Sequence, residues 1–427
     1  MEKVVVVGTV LKSNGKKAIK EELKSLQELM SLVSTANGVV VKSFLVKRDK
    51  IDPAYYIGKG KAEEIGNFIV QNKIHTLVFD NELTPAQIKN LEKIISAKIV
   101  DRTRLILDIF AQRAHTKEAK LQVELAQLQY MLPRLTQKGI YMDNQVGGIG
   151  TRGPGETKLE YDRRKIMQRI EKIKEELKKV VIARQEQKKW RTETNIPLIA
   201  LVGYTNTGKS TLFNTLLKSS HAYTDDKLFA TLDPLIRKVV LPTKEEFLIV
   251  DTVGFIDKLP HHLVESFKST LEIVKDASLL LEVIDITDED IVRKEQLVQK
   301  ILQQLGADNI PRIKVYNKID LLDENLQKIY IKKFSNEKTK VVISAKTSFG
   351  IDNLLKKISN FINKTKIVKT IKLPSTTNYD ILNFIYKHCK IISYNVNHDL
   401  LNLKISTTKE MYNKIIKMLN ENIVHNS

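Results

Sequence analysis

The sequence predicts a multi-domain α/β protein, and three observations lead to this prediction. An apolar run over 198–202 leads directly into a glycine-rich loop and then into a helix-forming stretch. Short apolar runs alternate with amphipathic stretches over residues 1–112, and leucines and isoleucines recur at heptad spacing within 113–195. A chain of 427 residues is also too long for a single hydrophobic core, so we expect several domains.

Residues 1–112 are expected to form a small N-terminal parallel α/β domain, because strands that alternate with helices favour a parallel sheet. The predicted strands are Val4–Val10, Gly38–Val46, His75–Phe79 and Lys98–Val100, and the predicted helices are Lys17–Ser34, Lys61–Asn72, Thr84–Ser96 and Asp101–Gln112. The run Gly58-Lys59-Gly60-Lys61 permits two interpretations, a second phosphate site or a loop with a helix cap. It lacks the spacing and the Ser/Thr of a P-loop, which favours the cap.

Residues 113–195 predict an antiparallel helical hairpin of the coiled-coil type. Leu121, Leu125, Leu128, Leu132 and Leu135 form one apolar seam, and Leu159, Ile166, Ile170, Ile173, Leu177 and Val180 form the other. Six glycines and a proline between them, over 139–156, predict a tip without regular structure. The hairpin is basic, which is typical either of a charged coiled-coil surface or of a probe for an RNA crevice, where phosphates supply the affinity.

The loop after the apolar run 198–202 reads G-x-x-x-x-G-K-S, from Gly203 to Ser210. Glycine permits close approach of a phosphate chain to the backbone, and the N-terminus of the following helix attracts anions. Lys209 is expected to reach the β- and γ-phosphates, and the Ser210 hydroxyl is expected to bind Mg²⁺. This pattern, in its strand–loop–helix setting, predicts a nucleoside triphosphate site.

Three later segments identify the nucleotide as GTP. Asp251-Thr252-Val253-Gly254 is a D-x-x-G motif, in which Asp251 holds Mg²⁺ through water and the Gly254 N–H senses the γ-phosphate. Asn317-Lys318-Ile319-Asp320 is N-K-x-D, in which the Asp320 carboxylate accepts the two donors that guanine offers and adenine does not. Ser344-Ala345-Lys346 follows another strand, and the Ala345 N–H is assigned to the guanine oxygen. The ligand crevice is expected at the carboxyl ends of a mostly parallel sheet over 196–365.

Two positions concern hydrolysis. Thr231 lies between the P-loop and D-x-x-G, where a switch loop supplies a hydroxyl to Mg²⁺. Phe255 stands where many GTPases have the glutamine that orients the attacking water, so turnover by the free protein is expected to be slow.

The residues that we predict to bind GTP are Gly203, Tyr204, Thr205, Asn206, Thr207, Gly208, Lys209, Ser210, Phe229, Ala230, Thr231, Leu232, Asp233, Asp251, Thr252, Val253, Gly254, Asn317, Lys318, Ile319, Asp320, Ser344, Ala345 and Lys346. The predicted Mg²⁺ residues are Ser210, Thr231 and, through water, Asp251. Asn206 has two interpretations, a ligand for K⁺ between the phosphates or a residue that shapes the loop.

Composition indicates the cellular compartment and the kind of partner to expect. The single cysteine, Cys389, excludes an internal disulfide and a multi-cysteine zinc site, and it fits a reducing cytoplasm. Apolar runs are all shorter than a membrane span requires, so we expect no span and at most a peripheral association with membranes. The net charge of +20 and the pI near 9.6 favour a polyanionic partner, although general lysine enrichment would have the same effect.

The sequence resembles the HflX-type GTPases over roughly residues 1–365. The resemblance is carried by the tip motif from Gly148 to Glu160, by Tyr56–Lys61, by Asp101-Arg102-Thr103, by 229–234 and by 251–265, where Phe255 agrees with the family. It implies binding to the large (50S) ribosomal subunit and its rRNA, with the tip residues Gly150, Arg152, Gly153, Pro154 and Gly155 near the peptidyl-transferase region. It further implies splitting or rescue of stalled ribosomes under stress, or a role in biogenesis, with release on GTP hydrolysis. We expect a monomer.

Residues 366–427 predict a small α+β accessory domain with the element order β-α-β-β-α. Two other functions remain open at this point. A ribosome-assembly GTPase of another family would share 196–365 but would not have the tip motif. A nucleotide-driven RNA remodelling protein would use the N-terminal domain.

Overall fold

The computed structural model describes residues 1–135, 154–194, 196–217, 228–229, 234–243, 245–258, 272–364, 366–374, 379–397 and 400–425. Within these ranges the chain forms three sheets and twelve α-helices. The multi-domain α/β fold predicted from the sequence is confirmed. No helix among the described residues is long and apolar enough to cross a membrane.

The N-terminal sheet has the order β2-β1-β3-β4, and all of its strand pairs are parallel. Its strands are β1 (Glu2–Leu11), β2 (Gly38–Arg48), β3 (Thr76–Phe79) and β4 (Lys98–Asp101), and its helices are α1 (Gly15–Thr35), α2 (Lys59–Gln71), α3 (Pro85–Ile94) and α4 (Arg102–Arg113). Val4 and Val6 of β1 belong to the core that includes α1 and α4, whereas Val5 and Val7 belong to the core on the other face. Helices therefore cover both faces, as a parallel sheet requires.

The residue immediately before each helix fixes where two helices of this domain, α2 and α3, begin. The Thr84 hydroxyl accepts a hydrogen bond from the Gln87 N–H, and the Gln87 side-chain oxygen accepts one from the Thr84 N–H. Gly58 is the N-cap residue of α2 at φ 83°, and a Cβ there would lie 2.9 Å from the Arg48 guanidinium. The Gly58–Lys61 run therefore has the geometry of a loop and helix start, the interpretation that the sequence favoured.

The helical region consists of α5 (Lys117–Leu135) and α6 (Pro154–Thr194). Their apolar seams meet as predicted, with Leu121, Leu125, Ile170 and Ile173 buried together. Arg169 and Glu124 join the two helices through a bond of 2.6 Å. One expectation was wrong, because α6 begins at Pro154 and not after Glu156. The fixed φ of proline suits the first turn of a helix, so Pro154 begins the helix instead of excluding it.

The third part of the chain has a six-stranded sheet with the order β10-β9-β8-β5-β7-β6, in which only the β6–β7 pair is antiparallel. The strands are β5 (Leu198–Val202), β6 (Leu235–Val240), β7 (Glu246–Asp251), β8 (Leu279–Asp285), β9 (Arg312–Asn317) and β10 (Lys340–Val342). The helices are α7 (Lys209–Leu217), α8 (Ile291–Gln304), α9 (Glu324–Phe334) and α10 (Ile351–Lys364). This arrangement brings the ends of β5, β7, β9 and β10 to one edge of the sheet.

The C-terminal part contains β11 (Lys366–Pro374), α11 (Tyr379–His388), β12 (Lys390–Asn397), β13 (Leu400–Thr408) and α12 (Lys409–His425). The sheet has the order β11-β13-β12 and is antiparallel, as the predicted β-α-β-β-α order allows. Lys366 pairs with Glu245 at 3.0 Å and so ties β11 to the turn between β6 and β7.

The N-terminal part and the P-loop part share one apolar core. Leu29 of α1 and Phe110 of α4 belong to the same buried cluster as Tyr204, Val253 and Ile256. A buried guanidinium lies beside this core. Arg102, 2% exposed, donates to Asp80 at 2.7 Å, to Glu28, and to the main-chain oxygen of Asp257 at 3.2 Å.

We expect Arg102→Met to lower the free energy of unfolding by about 3 kcal/mol or more, because removing one partner of a buried ion pair leaves an uncompensated charge. The measurement is urea denaturation followed by circular dichroism. Lys12→Met is the matched control, since the Lys12–Asp49 pair is exposed and such pairs contribute less than about 1 kcal/mol. Equal losses in the two variants would show that the Arg102 pair has no special role in stability.

Candidate nucleotide site

The P-loop follows β5, and its two glycines occupy positions that no other residue fits. Gly203 has φ 146°, and a Cβ there would lie 2.3 Å from the Val283 carbonyl oxygen. Gly208 has φ 87°, and its Cβ would lie 2.3 Å from the Asn317 side-chain nitrogen. Asn206 between them also has a positive φ, 58°, which asparagine tolerates better than most residues. The backbone conformation of the loop therefore accounts for Asn206 as well as for both glycines.

Lys209 begins α7 and is 6% exposed. Its Nζ donates to the carbonyl oxygens of Tyr204 at 2.6 Å and Gly203 at 3.2 Å. Burial lowers the pKa of Lys209 to about 8, and the nearby Asp251 carboxylate opposes this shift. A phosphate group placed here would raise the pKa of Lys209 again, because a nearby negative charge stabilises the ammonium.

The side chains of Ser210 and Asp251 are in contact at the N-terminus of α7. The Ser210 Oγ donates to Asp251 Oδ2 at 2.7 Å, and Asp251 is fully buried at the end of β7. Thr252 is held by a bond from its hydroxyl to the Leu201 carbonyl at 2.6 Å. The hydroxyl and carboxylate oxygens beside Lys209 are the hard oxygen ligands that Mg²⁺ prefers.

Asn317 connects three of the predicted motifs. Its amide nitrogen donates to the Thr207 carbonyl at 2.9 Å, and its amide oxygen accepts from the Ala345 N–H at 2.8 Å. From the sequence we expected the Ala345 N–H to donate to the guanine oxygen. In the structure this N–H donates to the Asn317 amide oxygen, a contact that the sequence did not predict. Asn317 thus joins the P-loop to the ends of β9 and β10.

The remaining residues of the guanine motifs lie around Asn317. Lys318 has φ 66°, and its Nζ pairs with Asp285 at 2.7 Å. Ile319 and Ser344 are buried, Asp320 is half-buried and Lys346 is exposed. The arrangement leaves the Asp320 carboxylate partly accessible at the edge where a base would enter.

Phe255 is 3% exposed and belongs to the core under β5, β7 and β8. Its N–H donates to the Gly203 carbonyl at 3.1 Å, and its carbonyl accepts from the Thr205 N–H at 2.8 Å. A Cβ on Gly254 would lie 2.9 Å from Lys209 Nζ. The segment after D-x-x-G is therefore bonded directly to the P-loop, and its aromatic ring is directed away from water.

Two predicted residues direct their side chains at the N-terminal part of the chain. Phe229 packs edge-on against Phe110, with ring centroids 4.7 Å apart, and its neighbour Leu228 donates its N–H to Thr35 at 3.1 Å. The Tyr204 hydroxyl donates to Glu28 at 2.5 Å and accepts from the Asp257 N–H at 2.8 Å. Burial raises the pKa of Tyr204, and the Glu28 carboxylate raises it further. The side chains of both residues therefore make contacts with the N-terminal part of the chain.

Some predicted site residues lie outside the described part of the chain: Ala230, Thr231, Leu232 and Asp233 of the switch loop, and Gly150, Arg152 and Gly153 of the tip. Pro154 and Gly155 lie in the first turn of α6. Sequence reasoning gave no site role to Glu28 and Asp257, which bond the Tyr204 hydroxyl, or to Arg102, which bonds Glu28 and the Asp257 main chain. Arg102 and Asp257 lie in segments that carry the family resemblance, whereas nothing in the local pattern around Glu28 distinguishes it from an ordinary surface charge.

The binding of GDP is expected to weaken as pH rises through about 8. Because the free protein has a Lys209 pKa of about 8 and a bound phosphate raises it, the affinity is full below that pH and falls by up to tenfold per pH unit above it. A titration with a fluorescent GDP analogue from pH 6.5 to 8.8, without Mg²⁺, measures this. In Lys209→Arg the guanidinium stays charged, so whatever affinity remains should not change with pH. A flat profile for the wild type would contradict the lowered pKa.

Family models match three consecutive parts of the chain. Residues 23–111 match the model described as GTP-binding GTPase N-terminal, and 113–191 match GTP-binding GTPase Middle Region. Residues 198–318 match the model described as 50S ribosome-binding GTPase.

Curated relatives match nearly the whole chain. The GTPase HflX of Caldanaerobacter subterraneus subsp. tengcongensis is 47% identical over 397 residues, which cover 92% of this chain and 90% of the relative. The GTPase HflX of Escherichia coli K12 is 41% identical over 354 residues, covering 83% of each chain. Among solved structures, the complex of SsGBP with GDP is 27% identical with a TM-score of 0.50, covering 85% of this chain and 99% of that one. With this identity over most of its length, and with four guanine-nucleotide motifs at one sheet edge, the chain belongs to the HflX family of GTPases.

Proposed function

We propose that this GTPase binds the large (50S) ribosomal subunit and its rRNA, and that it splits or rescues stalled ribosomes under stress or acts in ribosome biogenesis. GTP hydrolysis drives its release. The observation that carries the proposal is the joining of a guanine-nucleotide site to a basic two-helix element, α5 and α6, in one chain. The description of the matching model, 50S ribosome-binding GTPase, supports the same partner.

The tip of the hairpin is proposed as the ribosome contact. Its residues Gly150, Arg152, Gly153, Pro154 and Gly155 combine a cationic side chain with glycines that allow close approach to RNA. The 41-residue helix α6 connects this tip to the start of β5, which leads into the P-loop. A rigid helix of this length would place the contact about 60 Å from the nucleotide along its axis.

At the nucleotide site, we propose the residues predicted from the motifs as the GTP contacts. Ser210 would bind Mg²⁺ directly and Asp251 through water, with Thr231 supplied by the switch loop. The bond of 2.7 Å between Ser210 and the buried Asp251 fits this role, because both oxygens already converge beside Lys209. In such sites Mg²⁺ neutralises negative charge on the phosphates. Lys318 and Asp320 would hold the base, with Asn317 fixing the loop behind it.

The attacking water needs a group other than Phe255, whose side chain is buried in the core. We propose that the large subunit completes the site, so that turnover is slow until the protein is bound. K⁺ held by the Asn206 side chain is a second proposed contribution, and Asn206 is exposed at the P-loop surface where such an ion would lie.

Within the same proposal, the chain divides into an N-terminal α/β domain (1–112), the helical hairpin (113–195), the GTP-binding domain (196–365) and a C-terminal accessory domain (366–427). A cytoplasmic monomer would satisfy this function.

Asp320→Asn is expected to exchange guanine for xanthine, because an amide donates to the ring carbonyl of xanthine where the carboxylate accepted the guanine donors. The affinity for GTP should fall at least tenfold and that for xanthosine triphosphate should rise by a similar factor. Equilibrium titration of both nucleotides against wild type and variant measures this. An unchanged affinity for xanthosine triphosphate would remove Asp320 from the base site.

Replacing Gly153, Pro154 and Gly155 together by alanine should leave GTP affinity unchanged and reduce binding to 50S subunits at least tenfold. Co-sedimentation with 50S subunits and splitting of 70S ribosomes measure the effect. Gly60→Ala is the control, since its Cβ would meet no atom within 4 Å. If the triple variant binds and splits as well as the control does, the tip is not the ribosome contact.

GTP hydrolysis by the free protein should rise at least tenfold on 50S subunits, which corresponds to about 1.4 kcal/mol off the barrier. Rates in KCl and NaCl, each with and without 50S, separate the two proposed contributions. Asn206→Gly keeps the left-handed backbone and removes the amide, so it should abolish any stimulation by K⁺ alone. Turnover that is already fast without either K⁺ or the subunit would mean that the domain positions its own water.

A further inference from the structure

The P-loop contains a buried hydroxyl that forms no hydrogen bond within the described part of the chain. Thr205 is 6% exposed, and its Oγ1 has no partner among the described residues. The other hydroxyls of the loop have partners: Tyr204 donates to Glu28 at 2.5 Å, Thr207 to the Tyr204 carbonyl at 3.1 Å, and Ser210 to Asp251 at 2.7 Å. A buried hydroxyl without a partner costs stability, so it calls for an explanation such as a role in binding or catalysis.

The Thr205 side chain lies beside the two groups that we assign to the γ-phosphate, Lys209 and Gly254. A Cβ built on Gly254 would lie 2.9 Å from Lys209 Nζ and 2.9 Å from both Cα and Cγ2 of Thr205. The threonine side chain and the ammonium group are therefore close to the same point. Because Oγ1 and Cγ2 are bonded to the same carbon, the unpaired hydroxyl belongs to this end of the nucleotide site.

The main chain places Thr205 directly against position 255, where many GTPases have the glutamine that orients the attacking water. The Thr205 N–H donates to the Phe255 carbonyl at 2.8 Å. The Phe255 ring is 3% exposed and packs into the core, so it presents no polar group to the site. Thr205 thus brings a hydroxyl next to the residue from which other GTPases supply an amide.

We propose that the Thr205 hydroxyl binds the water that attacks the γ-phosphate, in place of the glutamine that this chain lacks. The role rests on the GTP site proposed above. The hydroxyl oxygen accepts a hydrogen bond from the water and so directs a lone pair of the water at the phosphorus. The water oxygen bonds to the γ-phosphorus while the bond to the bridging oxygen of GDP breaks, and both protons of the water stay with the phosphate product. Thr205 keeps its own proton, so it orients the water and does not act as a base.

Activation by the large subunit fits this role. Thr205 Oγ1 is covered in the free protein, and the segment of Gly254 and Phe255 packs against its residue. Water reaches the hydroxyl only when this segment moves away from the P-loop. A partner that displaces the segment would therefore expose the hydroxyl and raise the rate of hydrolysis.

The first experiment measures single-turnover hydrolysis of saturating GTP by the full chain, with and without 50S subunits. Thr205→Val removes the hydroxyl at nearly constant shape and should lower the rate at least tenfold, or about 1.4 kcal/mol. Thr205→Ser keeps the hydroxyl and should restore most of the rate. Thr9→Val is the matched control, because Thr9 in β1 is 8% exposed and its hydroxyl also has no partner among the described residues. Its rate should equal that of the wild type.

Equal rates for Thr205→Val and the wild type would overturn the role of the hydroxyl. A wild type that 50S subunits do not stimulate would contradict the ribosome partner alone, because the ratio of the two rates is measured without subunits as well. A slower Thr205→Val in the free protein would then still support the contact with water.

The second experiment separates catalysis from stability by urea denaturation of the same variants. Loss of an unpaired buried hydroxyl removes a desolvated polar group, so the unfolding midpoints of Thr205→Val and Thr9→Val should equal or exceed that of the wild type. Slower hydrolysis at an undiminished midpoint supports the proposal. A lower midpoint for Thr205→Val would make the hydroxyl structural and overturn it.

The third experiment locates the hydroxyl on the water and not on the phosphate. The affinities of Thr205→Val for GDP and for a non-hydrolysable GTP analogue should match those of the wild type. Its affinity for GDP with aluminium fluoride, which mimics the phosphoryl group with an in-line water, should fall at least tenfold. An equal loss of affinity for the non-hydrolysable analogue would place the hydroxyl on the γ-phosphate before the reaction, and would overturn its assignment to the water.

Discussion

The buried guanidinium of Arg102 is the interaction on which the arrangement of the N-terminal and P-loop parts depends. It lies between two carboxylates of the N-terminal part, Asp80 and Glu28, and also donates to the main chain at Asp257. Charges buried this deeply are tolerated only when each is paired and hydrogen-bonded. Lys258 adds a second cation to Asp80 and reaches Glu22 at 3.1 Å. The residues after D-x-x-G are thus held by charges that belong to another part of the chain.

Tyr204 extends this network into the P-loop itself. Its hydroxyl lies between Glu28 and the Asp257 N–H, and its main-chain carbonyl accepts from Lys209. Gly254, which we propose as the sensor of the γ-phosphate, is three residues from Asp257 and close to Lys209 Nζ. The P-loop and the segment after D-x-x-G are therefore both hydrogen-bonded to the N-terminal part, through Tyr204 and Asp257.

The sequence was sufficient for features that depend on local patterns. Short apolar runs predicted the strands of the N-terminal sheet, heptad spacing predicted the seam between Leu125 and Ile170, and the motifs predicted which strand ends would meet. It was not sufficient for contacts between distant residues. Tyr204 and Glu28 are 176 residues apart, and no periodicity relates them. The start of α6 at Pro154 was missed for a different reason, because proline was taken only as a helix breaker although it also suits the first turn.

The apolar core shared by α1, α4 and the P-loop part also bears on how the chain folds as it is synthesised. The N-terminal residues emerge first, so the surface formed by Leu29, Ile106 and Phe110 exists before Phe229 and Ile256 have been translated. Until those residues arrive, that surface has no partner and exposes large aliphatic and aromatic side chains to water. We therefore expect the nascent N-terminal part to be a substrate for chaperones, and the switch segments to fold onto a template that is already in place.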